Sequence, residues 1–171
     1  MEPTFTPHDT STFKEESIEM LIVASLAFLG SLTGLHDFVT VTKLHPILVN
    51  FTAALVPVSL AIDLVARLRR REDLRLPGWV TLLVATAITP FTAITGWLFW
   101  MDDDVGVTGM TIHKWLGSAL VLLLFGLFFW RRHQHRQSRW PGIPYFILGA
   151  IFVALLVYQG CLGGAQVFSE M

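Results

Sequence analysis

The chain has 171 residues, 53% of them apolar and only 15% charged, with a mean hydropathy of +0.59. That balance excludes an ordinary soluble domain and indicates a polytopic membrane protein, all-α in class. The net charge of −1 hides two arginine clusters, Arg67 to Arg75 and Arg131 to Arg139. Both flank apolar runs, so they read as topology signals rather than as a nucleic-acid surface.

In chain order, residues 1–17 form a polar, acidic tail with none of the positive charge that opens a secretory signal. Residues 18–171 form a single transmembrane domain. Its first segment, 18–35, is apolar enough to span, although Gly30, Ser31, Thr33 and Gly34 interrupt it. A helix lying in the interface is the alternative; the spanning reading is preferred. Four further spans follow at 46–68, 77–101, 112–130 and 143–163, each near the roughly 20 residues that a bilayer core requires. Short loops make sequence neighbours antiparallel, so the expected architecture is a four-helix transmembrane bundle with an additional N-terminal membrane helix. No internal repeat is visible.

Within the spans, Pro57 and Pro90 are expected to kink their helices, with Thr86 satisfying backbone freed by Pro90. Ala85, Thr89, Ala93 and Gly96 mark a close-packing face, and so does the Gly160-to-Gly164 spacing. Trp97, Trp100 and Trp115 form one aromatic belt, and Trp79, Trp130 and Trp140 the other. Asp63 and Arg67, four residues apart, read as a local helical ion pair. The single cysteine, Cys161, can form no internal disulfide.

Polar residues concentrate away from the arginines: His36, Asp37, His45, Asn50, Thr95, Asp102 to Asp104, His113 and Gln159. His45 precedes the first span of the bundle and His113 opens the third, so the chain returns both to one face at matched depth. Two imidazoles so placed can ligate one haem iron from both sides; the bland alternative makes each an interfacial cap. His133 and His135 belong to a solvated basic loop without a facing histidine. The Asp102–Asp104 run reads as a solvated turn, with a hard-cation site as the alternative. No phosphate loop, nucleophile elbow or paired-carboxylate signature is present.

At His45-Pro46-Ile47-Leu48-Val49-Asn50-Phe51, Thr95-Gly96-Trp97, His113 to Gly117 and Gly160-Cys161-Leu162-Gly163-Gly164 the chain resembles a bacterial family of membrane proteins, domain-of-unknown-function family 2231. That family's first span opens with His-Pro-x-x-Val-His-Phe-Pro, its second ends near Thr-Gly, its third opens with His-x-x-x-Gly and its fourth ends in His-x-Gly-Gly. The resemblance covers roughly residues 44 to 168 and implies redox company, since members occur joined to cytochrome c or Rieske modules. Asn50 and Cys161 stand where the family would place further histidines. Either a second ligand pair has gone and His45 with His113 remains, or the cofactor has been lost.

The expected function is that of a bacterial inner-membrane subunit with its arginine loops cytoplasmic. It would hold haem b near the periplasmic face between His45 and His113 as metal ligands, flanked by Asn50, Thr95 and Gly96. Electrons would pass between quinone and a periplasmic cytochrome within a larger membrane complex, without bond-making catalysis. A cofactor-free structural subunit of a respiratory or photosynthetic complex is the alternative. A transporter reading lacks a buried charge pathway.

Overall fold

A computed structural model of the chain describes the backbone of residues 10–99 and 108–169, and the side chains of 20–99 and 109–165. Asp102, Asp103 and Asp104, and with them the cation reading of that turn, lie outside the described residues, as does Trp100. The chain forms two units, Met1–Phe38 and Val39–Met171.

The first unit is carried by helix α1, Thr10–Thr42. The helix begins within the polar stretch expected as a tail and runs through Gly30 and Gly34 without a break. Each helical glycine costs about 1 kcal/mol, but the neighbouring hydroxyls stay inside the helix. Ser25 donates to the Leu21 carbonyl, Ser31 to that of Phe28, and Thr33 to that of Gly30. Met20–Thr42 is long and apolar enough to cross a membrane.

The second unit contains α2 (Leu44–Arg69), α3 (Arg75–Phe99), α4 (Thr108–Arg136) and α5 (Ile143–Ser169), each long and apolar enough to span. A one-turn 3-10 helix, Glu72–Leu74, joins α2 to α3. The chain leaves α2 through Arg70 in the left-handed region (φ 51°), and the Arg71 amide bonds back to the Ala66 carbonyl at 2.9 Å. That closure satisfies a helix-end carbonyl. Arg71 is then held by Asp73 through two bonds of 2.7 and 2.8 Å.

Within the bundle, helices adjacent in sequence pack closely and α5 closes back on α2; among the described residues the backbones of α2 and α4 do not approach closely, nor do those of α3 and α5. The order is therefore up-down-up-down, with α2 and α4 on one diagonal. Along α2 the buried residues are His45, Thr52, Val56, Ser59, Asp63 and Ala66. Steps of seven, four and three residues keep them on one stripe. The apolar core is built from Val56, Leu82, Ala85, Leu120, Leu124, Leu127, Phe128, Tyr145 and Phe152. Leu60 lies over Gly149, where an added Cβ would meet its Cδ2 at 2.6 Å.

Two expectations from sequence are altered by packing. The α4 helix continues to Arg136, so His133 and His135 belong to its last turns and not to a loop. His135 stacks on Trp79 with ring centroids 5.3 Å apart, and Trp79 stacks in turn on Phe128 at 5.0 Å. Thr86 donates to the Leu82 carbonyl at 2.7 Å, one turn earlier than its own carbonyl, the group that Pro90 frees.

Candidate functional site

The bundle buries polar side chains at both of its ends. At the arginine end, Asp63 is 1% exposed and Arg131 0%. They form a two-pronged ion pair, Nε to Oδ2 at 2.7 Å and Nη2 to Oδ1 at 2.8 Å. The Tyr145 hydroxyl donates to Asp63 Oδ2 at 3.4 Å. This replaces the local Asp63–Arg67 pair expected from sequence. Asp63 lies on the buried stripe of α2 and meets α4 across the bundle. Arg67 instead donates to the Pro141 carbonyl at 2.5 Å. Gly78 leaves the room that the carboxylate occupies, since a Cβ there would lie 2.5 Å from Asp63 Oδ1. Ser59 ties α2 to α3 at the same level by donating to the Gly78 carbonyl at 2.8 Å.

At the other end, the antiparallel order returns His45 and His113 to one layer. Their ring centroids are 6.4 Å apart and the rings are perpendicular. Both histidines are buried. Each ring is held by the helix that follows its own. His45 Nδ1 bonds to the Thr92 carbonyl at 3.0 Å, and His113 Nδ1 to the Gln159 carbonyl at 3.1 Å. A carbonyl only accepts, so in each case Nδ1 carries the proton. A neutral imidazole so held keeps its lone pair on Nε2, the arrangement that metal-ligating histidines use.

Glycine makes both seats possible. A Cβ on Gly96 would lie 2.8 Å from His45 Cε1, and one on Gly163 would lie 2.8 Å from His113 Cε1. Thr95 is buried, and its hydroxyl contacts the Phe91 and Thr92 carbonyls at 2.8 and 3.0 Å. It thus shares the Thr92 carbonyl with His45. Asn50 is exposed and lines neither cavity beside the histidines. His36 and Asp37 lie in the first unit.

In the sequence Gly163 stands out only as part of a family motif, and the close-packing spacing points to Gly160 and Gly164. A Cβ at either of those two would meet nothing within 4 Å. Thr92 and Gln159 were not singled out as seats because they act through backbone carbonyls, which every residue has. The available signal was the glycine four residues after each, which lets an imidazole approach the helix.

Two cavities border the pair. One of about 100 Å³ extends into the bundle between Thr52, Ala53, Ala93, Leu120 and Phe152. A smaller one, about 20 Å³, opens past Trp97, Lys114 and Ser118. Gln159 lines both, and its side-chain Oε1 is buried with no hydrogen-bond partner among the described residues. At the rim, Trp97 donates to Ser118 at 3.0 Å, packs edge-on to Trp115 at 5.7 Å and lies beneath the Lys114 ammonium at 5.5 Å.

A family model described as "Predicted membrane protein", domain of unknown function 2231, matches residues 41–171. The chain belongs to that family. The matched region contains the whole four-helix bundle and both buried polar layers, and leaves almost all of α1 outside. No curated protein and no solved structure matches the chain. The motifs that carry the family likeness converge in space. His45 and Gly96 touch, as do His113 and Gly163, and the two histidines meet between them.

Proposed function

We propose that this family member is a membrane redox subunit that holds a b-type haem between His45 and His113. The observation that carries the reading is the imidazole pair itself. Metal–imidazole bonds are about 2 Å long, so two rings on opposite sides of one ion have centroids roughly 6 Å apart. The 6.4 Å separation suits that arrangement, and so does the donation of each Nδ1–H to a carbonyl. Among the described residues no group of three or more His, Cys, Asp or Glu could hold a metal ion. A haem would bring its own equatorial ligands and would need only the two imidazoles from the chain.

Bound there, haem would supply a one-electron redox centre. The chain's own contribution is positional. Gly96 and Gly163 admit the rings, the Thr92 and Gln159 carbonyls fix their tautomer, and Thr95 steadies the first of those carbonyls. The exposed Trp97 and Trp115 form the rim where a partner would dock, with Lys114 buried behind them. With the arginine loops on the cytoplasmic side by the positive-inside rule, this rim faces the periplasm of a bacterial inner membrane. Electrons would pass there between quinone and a periplasmic cytochrome within a larger complex.

A second reading is favoured by the cavity. At about 100 Å³ it is smaller than an engineered pocket that takes benzene, so a macrocycle would enter only if the helix ends part. On this reading the histidines pack against each other as a polar cap, and the chain is a cofactor-free structural subunit of a respiratory or photosynthetic complex.

The visible spectrum of the protein purified with its native partners, after expression with ample haem, decides between them. Low-spin b-type bands lost in both His45→Ala and His113→Ala support the haem reading. A wild-type protein without haem bands refutes it. Sidedness is tested separately in a Cys161→Ser background. An impermeant thiol reagent applied to intact cells should label Val105→Cys and spare Gln137→Cys; the reverse overturns the orientation.

A further inference from the structure

The two polar layers share a feature that neither shows alone. Adding 68 to the numbers of the α2 stripe residues His45, Thr52, Val56, Ser59 and Asp63 gives His113, Leu120, Leu124, Leu127 and Arg131. All five are buried in α4. Adding 67 carries the α3 positions Gly78, Leu82, Ala85, Thr92 and Gly96 onto Tyr145, Gly149, Phe152, Gln159 and Gly163 of α5. The contacts follow the same rule. His45 rests on Gly96 and bonds to the Thr92 carbonyl, and His113 rests on Gly163 and bonds to the Gln159 carbonyl. As α3 packs on α4, so α5 packs on α2, the first interface being the more extensive.

Two equivalent positions can touch each other only where they lie at a two-fold axis. Two such pairs do so here, His45 with His113 and Asp63 with Arg131. Each member of the second pair lies 18 residues beyond its histidine, about 27 Å along the helix. The axis therefore runs the length of the bundle and is pinned near both ends.

We propose that residues 44–98 and 112–165 are two copies of one two-helix unit about a pseudo-two-fold axis, and that Asp63 and Arg131 are positioning residues that set the register in which the copies bring the imidazoles together. The inference does not depend on what the imidazoles hold. Opposite charges at equivalent positions make the pairing one-way. Two first units would bury carboxylate on carboxylate, and two second units guanidinium on guanidinium, so neither pairs with its own kind. The pair also carries a cost, since Arg131 Nη1 is buried without a hydrogen-bond partner among the described residues. A buried ion pair of this kind is weak evidence for stability and better understood as a device for specificity.

The test uses the full chain in membranes and has two arms. In the first, the charges are exchanged. Asp63→Arg alone and Arg131→Asp alone should each cut the folded yield several-fold, and the double exchange should restore most of it. A double exchange no better than the worse single change overturns the equivalence of the two positions. In the second, spin labels are placed at Ile47→Cys and Trp115→Cys, equivalent and exposed positions two residues past each histidine, in a Cys161→Ser background. The wild-type pair should give one narrow distance, and Asp63→Asn should broaden or split it. An unchanged distance in a less stable Asp63→Asn protein makes the pair merely structural and overturns the positioning claim. If Asp63→Asn does not accumulate, Arg131→Lys keeps the charge, loses the planar fork and takes the same measurement. Neither arm reads haem, so its failure is distinct from failure of the redox reading.

Discussion

At the arginine end of the bundle the buried polar groups are fully charged types that pair with each other, Asp63 with Arg131 through two of its three guanidinium nitrogens, and little of either is exposed. At the histidine end the buried groups are imidazoles that satisfy themselves on helix backbone and leave one ring nitrogen uncommitted. At the first end the ion pair itself is closed off, its carboxylate wedged against Gly78, and the apolar hollow between Leu64, Arg67 and Phe146 is lined by neither Asp63 nor Arg131. The second is bordered by two cavities and an unpartnered Gln159 oxygen. A buried pair of opposite charges spends its bonding on itself and holds a structure, whereas buried rings held on helix backbone keep a ring nitrogen for a ligand.

The largest effect that tests this contrast comes from the closed end. Arg131→Met leaves Asp63 as an uncompensated buried charge and should lower stability by about 3–5 kcal/mol, whereas Asp63→Leu with Arg131→Met should recover most of that loss. Thermal unfolding in detergent measures both. A double change as damaging as the single one would show that the closed end does more than neutralise charge.

Next come the glycines. Gly96→Ala and Gly163→Ala each place a Cβ within 2.8 Å of an imidazole, and each should cost about 1–3 kcal/mol through overpacking. On the haem reading both should also weaken haem binding to a similar degree, because the two seats are alike. Gly160→Ala, which adds a methyl in open space, should instead be neutral or stabilise the helix by up to about 1 kcal/mol. Equal behaviour of all three in unfolding and haem titration would erase the distinction between seat glycines and lining glycines.

The smallest effect belongs to Ser59→Ala. It removes one hydrogen bond to the Gly78 carbonyl beside the ion pair and should cost about 1 kcal/mol. On the haem reading the visible spectrum should not change, since the loss is confined to the closed end. A shifted spectrum would mean that the two ends are coupled more tightly than a shared register requires.

By itself the sequence determined the fold class, the four bundle helices and the return of His45 and His113 to one face. These follow from apolar run length and short loops, which are local quantities. The family motifs were legible for the same reason, as short strings at span ends. What only the tertiary structure decided is which polar groups meet. Spacing along one helix pairs Asp63 with Arg67, because that spacing is all that sequence displays; the actual partner, Arg131, comes from α4. Gly163 and the Thr92 and Gln159 carbonyls act through space and backbone, and neither leaves a residue-type signature. The two-fold relation was hidden likewise. Only a few equivalent residues are identical, among them His45 and His113, Pro77 and Pro144, and Gly96 and Gly163. Burial fixes where a side chain points but tolerates Thr52 opposite Leu120 and Asp63 opposite Arg131, so packing geometry carries a correspondence that residue identity has lost.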